Sequence, residues 1–241
     1  VRLAHLPTPI EHLPNLSRRL GGPAIYVKRD DQTGLATGGN KARKLEFLMA
    51  QALEAGADSV ITAGATQSNH ARQTATAARK LGLEPHLVLR APREEARSGV
   101  QGNLLIDLLL GATVHWTDEP APFAETIRRV AAELAAAGGR PHVIPYGGSN
   151  AYGMMGYVLA MKEVAQQTAG MGPTFAAHVF ASSSGGMHAG MILGAHLAYE
   201  HGVAPQLVGI SIADPASELK ARLVELVREG ADLLGVDYRV S

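Results

Sequence analysis

Residues 59–90 read SVITAGATQSNHARQTATAARKLGLEPHLVLR, and their pattern decides the fold. Ser59–Ala63 and His86–Arg90 are short runs suited to buried strands. Between them, from Arg72 to Leu81, apolar positions recur at helical spacing, and Gly82 follows as a left-handed helix stop. A strand, a helix and a second strand in about thirty residues form one crossover unit, the connection that joins parallel neighbours.

The same alternation extends both ways along the chain. Further strand-like runs are Ile25–Lys28, Thr113–Thr117, His142–Pro145, His178–Ala181 and Leu207–Ile212. Helical spacing recurs in Leu104–Leu110, Phe123–Ala137, Met155–Gln167, Ala189–His201 and Ser217–Glu229. Glycines 56, 82, 111 and 138 each close a helix ahead of a strand, a loose period of about 27 residues that matches one α/β unit. The expected fold class is therefore α/β, with parallel twisted sheets covered by helices. Two lobes are expected: a smaller one over 43–152, and a larger one made of 1–42 and 153–241. Ligand would lie in the cleft between them. The Gly/Ser/Asn-rich stretch Pro145–Gly153 is the expected crossing between lobes, or a turn.

Composition removes several function classes. Lys plus Arg equals Asp plus Glu at 22 each, so no net field favours nucleic acid or an acidic membrane surface. The absence of cysteine excludes disulfides, thiolate metal sites and a cysteine nucleophile, and fits a cytoplasmic protein. No apolar run spans a bilayer and no signal-peptide layout opens the chain. The ten histidines are scattered, with no H-E-x-x-H, so no metal is expected. Neither a G-x-S-x-G elbow nor a G-x-G-x-x-G fingerprint occurs. Residues 34–41 approach a phosphate-binding P-loop but place Asn40 where lysine is required. Asp30 and Asp31 read as loop and cap residues rather than a catalytic pair.

Chemistry concentrates at one lysine and three loops. Lys41 follows Thr37-Gly38-Gly39-Asn40 and opens an apolar helical pattern (Leu45, Leu48, Met49, Ala52, Leu53), with Asn40 as the expected N-cap. The helix dipole and the neighbouring Arg43 and Lys44 should lower its proton affinity, which suits a nucleophile towards an aldehyde, or a base. Gly64–His70 leads from strand to helix, and its free N–H groups suit a carboxylate or phosphate, with Ser68 and Asn69 adding side-chain groups. Ordinary capping by Ser68 or Asn69 is the competing reading, and His70 reads as a helix-start residue. Ala181–Gly190, with Ser182-Ser183-Ser184-Gly185-Gly186, offers a backbone cradle for a phosphate monoester. A lysine amine, a phosphate cradle and a carboxylate-sized helix start together describe a site for pyridoxal 5′-phosphate acting on an amino acid.

Along essentially its whole length the sequence resembles the family of D-cysteine desulfhydrase and 1-aminocyclopropane-1-carboxylate (ACC) deaminase, pyridoxal-phosphate enzymes of the tryptophan-synthase-β fold type. The segments carrying the resemblance are Leu6–Ile10, Tyr26–Asp31, Gly38–Glu46, Gln67–Thr74, Gly147–Asn150 and Ser183–Gly190. The resemblance implies that Lys41 bonds the cofactor aldehyde and that Asn69 hydrogen-bonds its 3′-oxygen. It places Gln67, Ser68, Asn69 and His70 around the substrate carboxylate, Ser68 among the catalytic residues, and Ser184, Gly185, Gly186 and Met187 at the phosphate. Family members usually carry threonine where Met187 stands, so a hydroxyl contact is missing. Family chains also continue beyond the equivalent of Ser241, with a tyrosine near the substrate and a partner for the pyridine nitrogen, so a C-terminal part is expected to be absent here. A homodimer is implied as well. Asn69-His70 and Gly147–Asn150 resemble the desulfhydrase branch. The implied reaction is β-elimination from a small amino acid, D-cysteine first. ACC deamination, cysteate sulfo-lyase activity and a non-catalytic cofactor- or amino-acid-binding fragment are the alternatives.

Overall fold

The computed structural model describes residues 1–90, 99–117, 122–171, 175–199 and 204–238. Its centre is the crossover unit read from the sequence. Strands β3 (Ser59–Ala65) and β4 (Glu84–Arg90) lie parallel, joined through helix α3 (Asn69–Lys80). Strands β5 (Thr113–Thr117) and β6 (Pro141–Val143) complete a four-stranded parallel sheet in the order β5-β4-β3-β6. Val60, Ile61 and Ala63 are all buried because helices cover both faces. Leu87 and Leu89 pack with Ala71 and Ala75 of α3 and Leu104 of α4 (Gly102–Leu109). On the other face Ile61, Ala63 and Val88 meet Val130 of α5 (Phe123–Ala136). Gly56, Gly82, Gly111 and Gly138 have φ of +67°, +77°, +70° and +88°, the left-handed stop expected at each helix end.

Strand order reverses at β3, which has β4 on one side and β6 on the other. Such a switch point opens a crevice at the carboxyl ends of the strands. The loops after β3 and β6 flank it.

A second parallel pair, β7 (Ala177–Ser182) and β8 (Gln206–Ser211), packs on α7 (Gly186–Ala198). Its outer face departs from the expected two-sided cover: Val179 and Ile210 are 69% and 53% exposed. Helices α6 (Ala151–Thr168), α7 and α8 (Ala216–Leu234) share a core of Met154, Met155, Leu193, Leu223 and Val227. Helix α2 (Lys41–Glu54) lies against both α3 and α6. It buries Leu45, Leu48, Met49 and Ala52 with Val60, Ala77 and Ile144. The helix that begins at Lys41 therefore joins both sets of elements.

Several expected boundaries move. β6 starts and ends earlier than His142–Pro145, since Pro145 has no N–H to extend the ladder beyond the Ile144 N–H bond to Ile61. α3 and α7 begin earlier than the apolar periodicity does, because their first turns are built from loop-like residues, Asn69-His70 and Gly186-Met187. The expected end of α7 at His201 lies outside the described residues. β2 (Tyr26–Lys28) falls within the expected run Ile25–Lys28, whereas its antiparallel partner β1 (Ile10–His12) and α1 (Pro14–Leu20) between them gave no periodic signal in so few residues. Among the described residues no helix is long and apolar enough to cross a membrane.

Candidate active site

Lys41 is the first residue of α2. Asn40 occupies the cap position but has helical φ/ψ (−60°, −19°) and makes no capping bond, which corrects the expectation for it. Its side chain instead faces the site: Oδ1 is 3.3 Å from Lys41 Nζ, and Nδ2 is 3.5 Å from Met187 Sδ on the glycine loop. Burial lowers the proton affinity of Lys41. Burial, not the helix end or Arg43, is the operative cause, since Arg43 is paired with Asp30 and Glu163.

Lys44, one turn on, is buried at 1% exposure and donates to Gly147 O (2.6 Å) and Ser149 Oγ (3.0 Å). Burial first, and the charge of Lys41 second, hold it well below the ordinary lysine range. Ser149 is saturated: it accepts from Lys44 and from Gly186 N (3.1 Å), and donates to Ser184 Oγ (2.8 Å). The loop Pro145–Asn150, expected as a crossing or turn, thus ties Lys44 to the glycine loop. Asn150 then caps α6 by accepting from Gly153 N at 2.8 Å.

The glycine loop ends in Gly185, with φ +86°, at the cap of α7. A Cβ on Gly186 would sit 2.6 Å from Ser149 Oγ, 2.8 Å from Lys44 Nζ and 2.9 Å from Ser149 Cα. The N–H groups of Met187 and His188, in the first turn, have no intrahelical acceptor. Small residues, orphan N–H groups and a buried lysine amine are what a phosphate monoester needs. A cavity of about 430 Å³ adjoins this loop, lined by Tyr146, Ser149, Ser183, Ser184, Asp214 and Arg222. Among the described residues no group of three metal-ligating side chains occurs.

On the β3 side, Ser68 caps α3, its Oγ accepting from Ala71 N at 3.1 Å. The hydroxyl proton remains available to a carboxylate. Gln67 is committed elsewhere: Oε1 accepts from Asn103 N (2.9 Å) and Nε2 donates to Gln101 O (3.1 Å), so its side chain holds the start of α4. Asn69, the first residue of α3, is exposed. His70 turns inward instead, 4% exposed, with Nε2 2.8 Å from Thr62 Oγ1. Burial, then Lys41 and Lys44, keep its imidazole well below its usual proton affinity. It lies beneath the crevice rather than on its lining, unlike the place expected for it.

The whole arrangement matches one family description. The model of "Pyridoxal-phosphate dependent enzyme" matches residues 1–237. The chain belongs to this family. A D-cysteine desulfhydrase of Yersinia enterocolitica is 43% identical over 231 residues, 95% of this chain and 68% of that protein. A Pyrococcus horikoshii protein with a provisional ACC deaminase name is also 43% identical, over all of this chain and 71% of its own. The crystal structure of an ACC deaminase homologue superposes with a TM-score of 0.86 at 41% identity, covering all of this chain and 71% of that one. A pyridoxal 5′-phosphate-dependent aspartate racemase, at 22% identity and TM-score 0.65, shares the fold.

Lys44 and Ser149, which meet the glycine loop, were missed by sequence reasoning. Lys44 had a signal: it falls on the same face as Lys41 and Leu48 within a buried run, where a lysine needs a reason. The pyridoxal-phosphate enzyme should depend sharply on Gly186. Gly186→Ala is expected to weaken cofactor binding at least about tenfold, because the backbone of Ser149 cannot yield to the new methyl. An absorbance titration with pyridoxal 5′-phosphate, beside circular dichroism to confirm folding, measures this.

Proposed function

We propose that this enzyme catalyses β-elimination from a small amino acid, with D-cysteine as the preferred substrate. D-Cysteine and water then give pyruvate, ammonia and hydrogen sulfide. The observation that carries this reading is the Lys41 amine, its proton affinity lowered by burial and its Nζ set through Asn40 against the glycine loop at Met187.

Bound here, pyridoxal phosphate supplies an aldehyde that takes up the amino nitrogen and a conjugated ring that draws charge from the α-carbon. The residues divide the remaining work. Lys44 and the first-turn N–H groups of α7 hold the phosphate, with Ser184, Gly185, Gly186 and Met187 forming the loop. Asn69 would donate an amide N–H to the cofactor's 3′-oxygen. Ser68 and the start of α3 bind the substrate carboxylate. Lys41 would take the α-proton at Nζ, a role that needs the unprotonated amine and that burial favours by lowering its proton affinity.

The desulfhydrase name of the Yersinia relative supports sulfide release, as do Asn69-His70 and Gly147–Asn150. A second reading, ring-opening deamination of ACC, is supported by the provisional name of the Pyrococcus relative. Assaying D-cysteine and ACC side by side, for sulfide and for 2-oxobutyrate, separates them. Sulfide with no 2-oxobutyrate is expected. Turnover of ACC alone would overturn the D-cysteine assignment and keep the family chemistry.

A further inference from the structure

The amide of Asn69 is held from behind. Its Oδ1 accepts from Arg72 Nη2 and from Asn103 Nδ2, both at 3.1 Å, while its Nδ2 makes no hydrogen bond among the described residues. Asn103 uses its other amide proton on Gln67 O at 2.8 Å. With both donors on the oxygen, a flip of the Asn69 amide would set N–H against N–H, so the nitrogen must face the crevice.

Arg72 does a second thing. It is 3% exposed, and its remaining terminal donors reach across to the segment ahead of Lys41: Nη1 to Ala36 O and Thr37 Oγ1, Nη2 to Gly38 O (3.1 Å). That segment is unusual backbone. Ala36 and Thr37 have φ of +41° and +65°, which a threonine adopts only when its surroundings impose it. The same guanidinium therefore bonds the Lys41 loop and the Asn69 amide. Its charge interacts electrostatically with the buried carboxyl of Asp107, 0% exposed, whose oxygens have no hydrogen-bond partner among the described residues.

We propose that Arg72 and Asn103 are positioning residues: together they fix the Asn69 amide with its nitrogen towards the cofactor, and Arg72 locks the strained 36–38 segment so that Lys41 and Asn69 keep a fixed spacing. The first part rests on the reading of Lys41 and Asn69 given above. The second part stands on the apoprotein alone.

A double-mutant cycle tests the first part. Asn69→Ala, Asn103→Ala and the double variant are loaded with pyridoxal 5′-phosphate, and the visible band of the lysine-bound cofactor is titrated with pH. Asn103→Ala should move the spectral midpoint in the same direction as Asn69→Ala and lower kcat about tenfold, with the double variant no worse than Asn69→Ala. Asn103→Asp, which keeps the size but cannot donate to Asn69, should show the same defect. Additive effects in the double variant, an unmoved midpoint in Asn103→Ala, or full function in Asn103→Asp would each overturn the role of Asn103. Hydrogen exchange without cofactor tests the second part. Arg72→Lys should speed exchange of amides 36–39 at least about tenfold while β3 and β4 stay protected; unchanged exchange overturns the lock. If the wild-type protein forms no lysine-bound band at all, the functional reading fails together with the Asn69 role, and the exchange result still decides whether Arg72 pins the loop.

Discussion

Replacing Lys41 by alanine is expected to remove the visible absorbance of protein-bound pyridoxal phosphate and to lower turnover at least about a thousandfold, with the fold intact. On the proposed mechanism two separate roles are lost at once: the covalent anchor and the base that takes the α-proton. The structure explains why the fold should survive. Lys41 stands in the first turn of α2, half-buried, and its side chain makes one hydrogen bond among the described residues, the 3.3 Å contact to Asn40. Alanine there costs no helix propensity. Lys41→Arg is the sharper control, since it keeps a cation in the same place yet has no amine able to bond an aldehyde or to lose its proton near neutral pH. Both variants should fail alike. Because burial lowers the Lys41 proton affinity, the acid limb of the wild-type rate profile should fall below the range of an ordinary lysine. Retention of the lysine-bound absorbance in Lys41→Ala would refute the assignment outright.

The fold was legible wherever periodicity was long. The unit at 59–90 and the glycine stops at 56, 82, 111 and 138 came straight from spacing, since a helix of twelve residues repeats its apolar face several times. β1 and α1 were illegible because three and seven residues give no repeat. Around the candidate site, the helix start at Lys41, the Ser68 cap and the Gly185-Gly186 turn could be read because capping and backbone freedom are written in residue type. What could not be read was direction. Gln67 and His70 sit in the same motif as Ser68 and Asn69, yet Gln67 turns to α4 and His70 turns under the crevice. Such choices depend on partners far along the chain, as with Asn103, which donates to Asn69 from 34 residues away. Periodicity carries no record of them.

Arg43→Met is expected to destabilise the protein by about 3–5 kcal/mol, read as a fall in the urea midpoint with an unchanged slope. Arg43 is 1% exposed and grips two carboxylates: Asp30 through Nε and Nη2, each at 2.9 Å, and Glu163 through Nη1 (3.0 Å) and Nη2 (2.9 Å). Thr8 and Tyr157 also donate to Asp30, at 2.9 and 2.7 Å, and Lys28 donates to Glu163 at 2.5 Å. Methionine fills much of the space but leaves two negative groups facing each other with Lys28 alone to offset them. The pH dependence gives a second check. Burial raises the affinity of Glu163 for a proton, yet the bonds from Arg43 and Lys28 outweigh it and the net shift is downward. A lowered folded-state value contributes stability above the unfolded-state range that disappears as acid titrates the folded group. The gap between wild type and variant should therefore be widest near neutrality and should narrow below the ordinary glutamate range of about 4.3. A gap that stays constant into acid would mean that lost packing, not unpaired charge, is the cause. The placement of the cluster ties it to catalysis. Arg43 lies between Lys41 and Lys44, and at Gly156 helix α6 comes so close that a Cβ would meet Arg43 O at 2.3 Å. The buried charges and this backbone contact hold the first turn of α2 against α6, so loosening them displaces both lysines together. Arg43→Met should for that reason lose cofactor affinity along with stability, whereas a destabilising change far from α2 should lose stability alone.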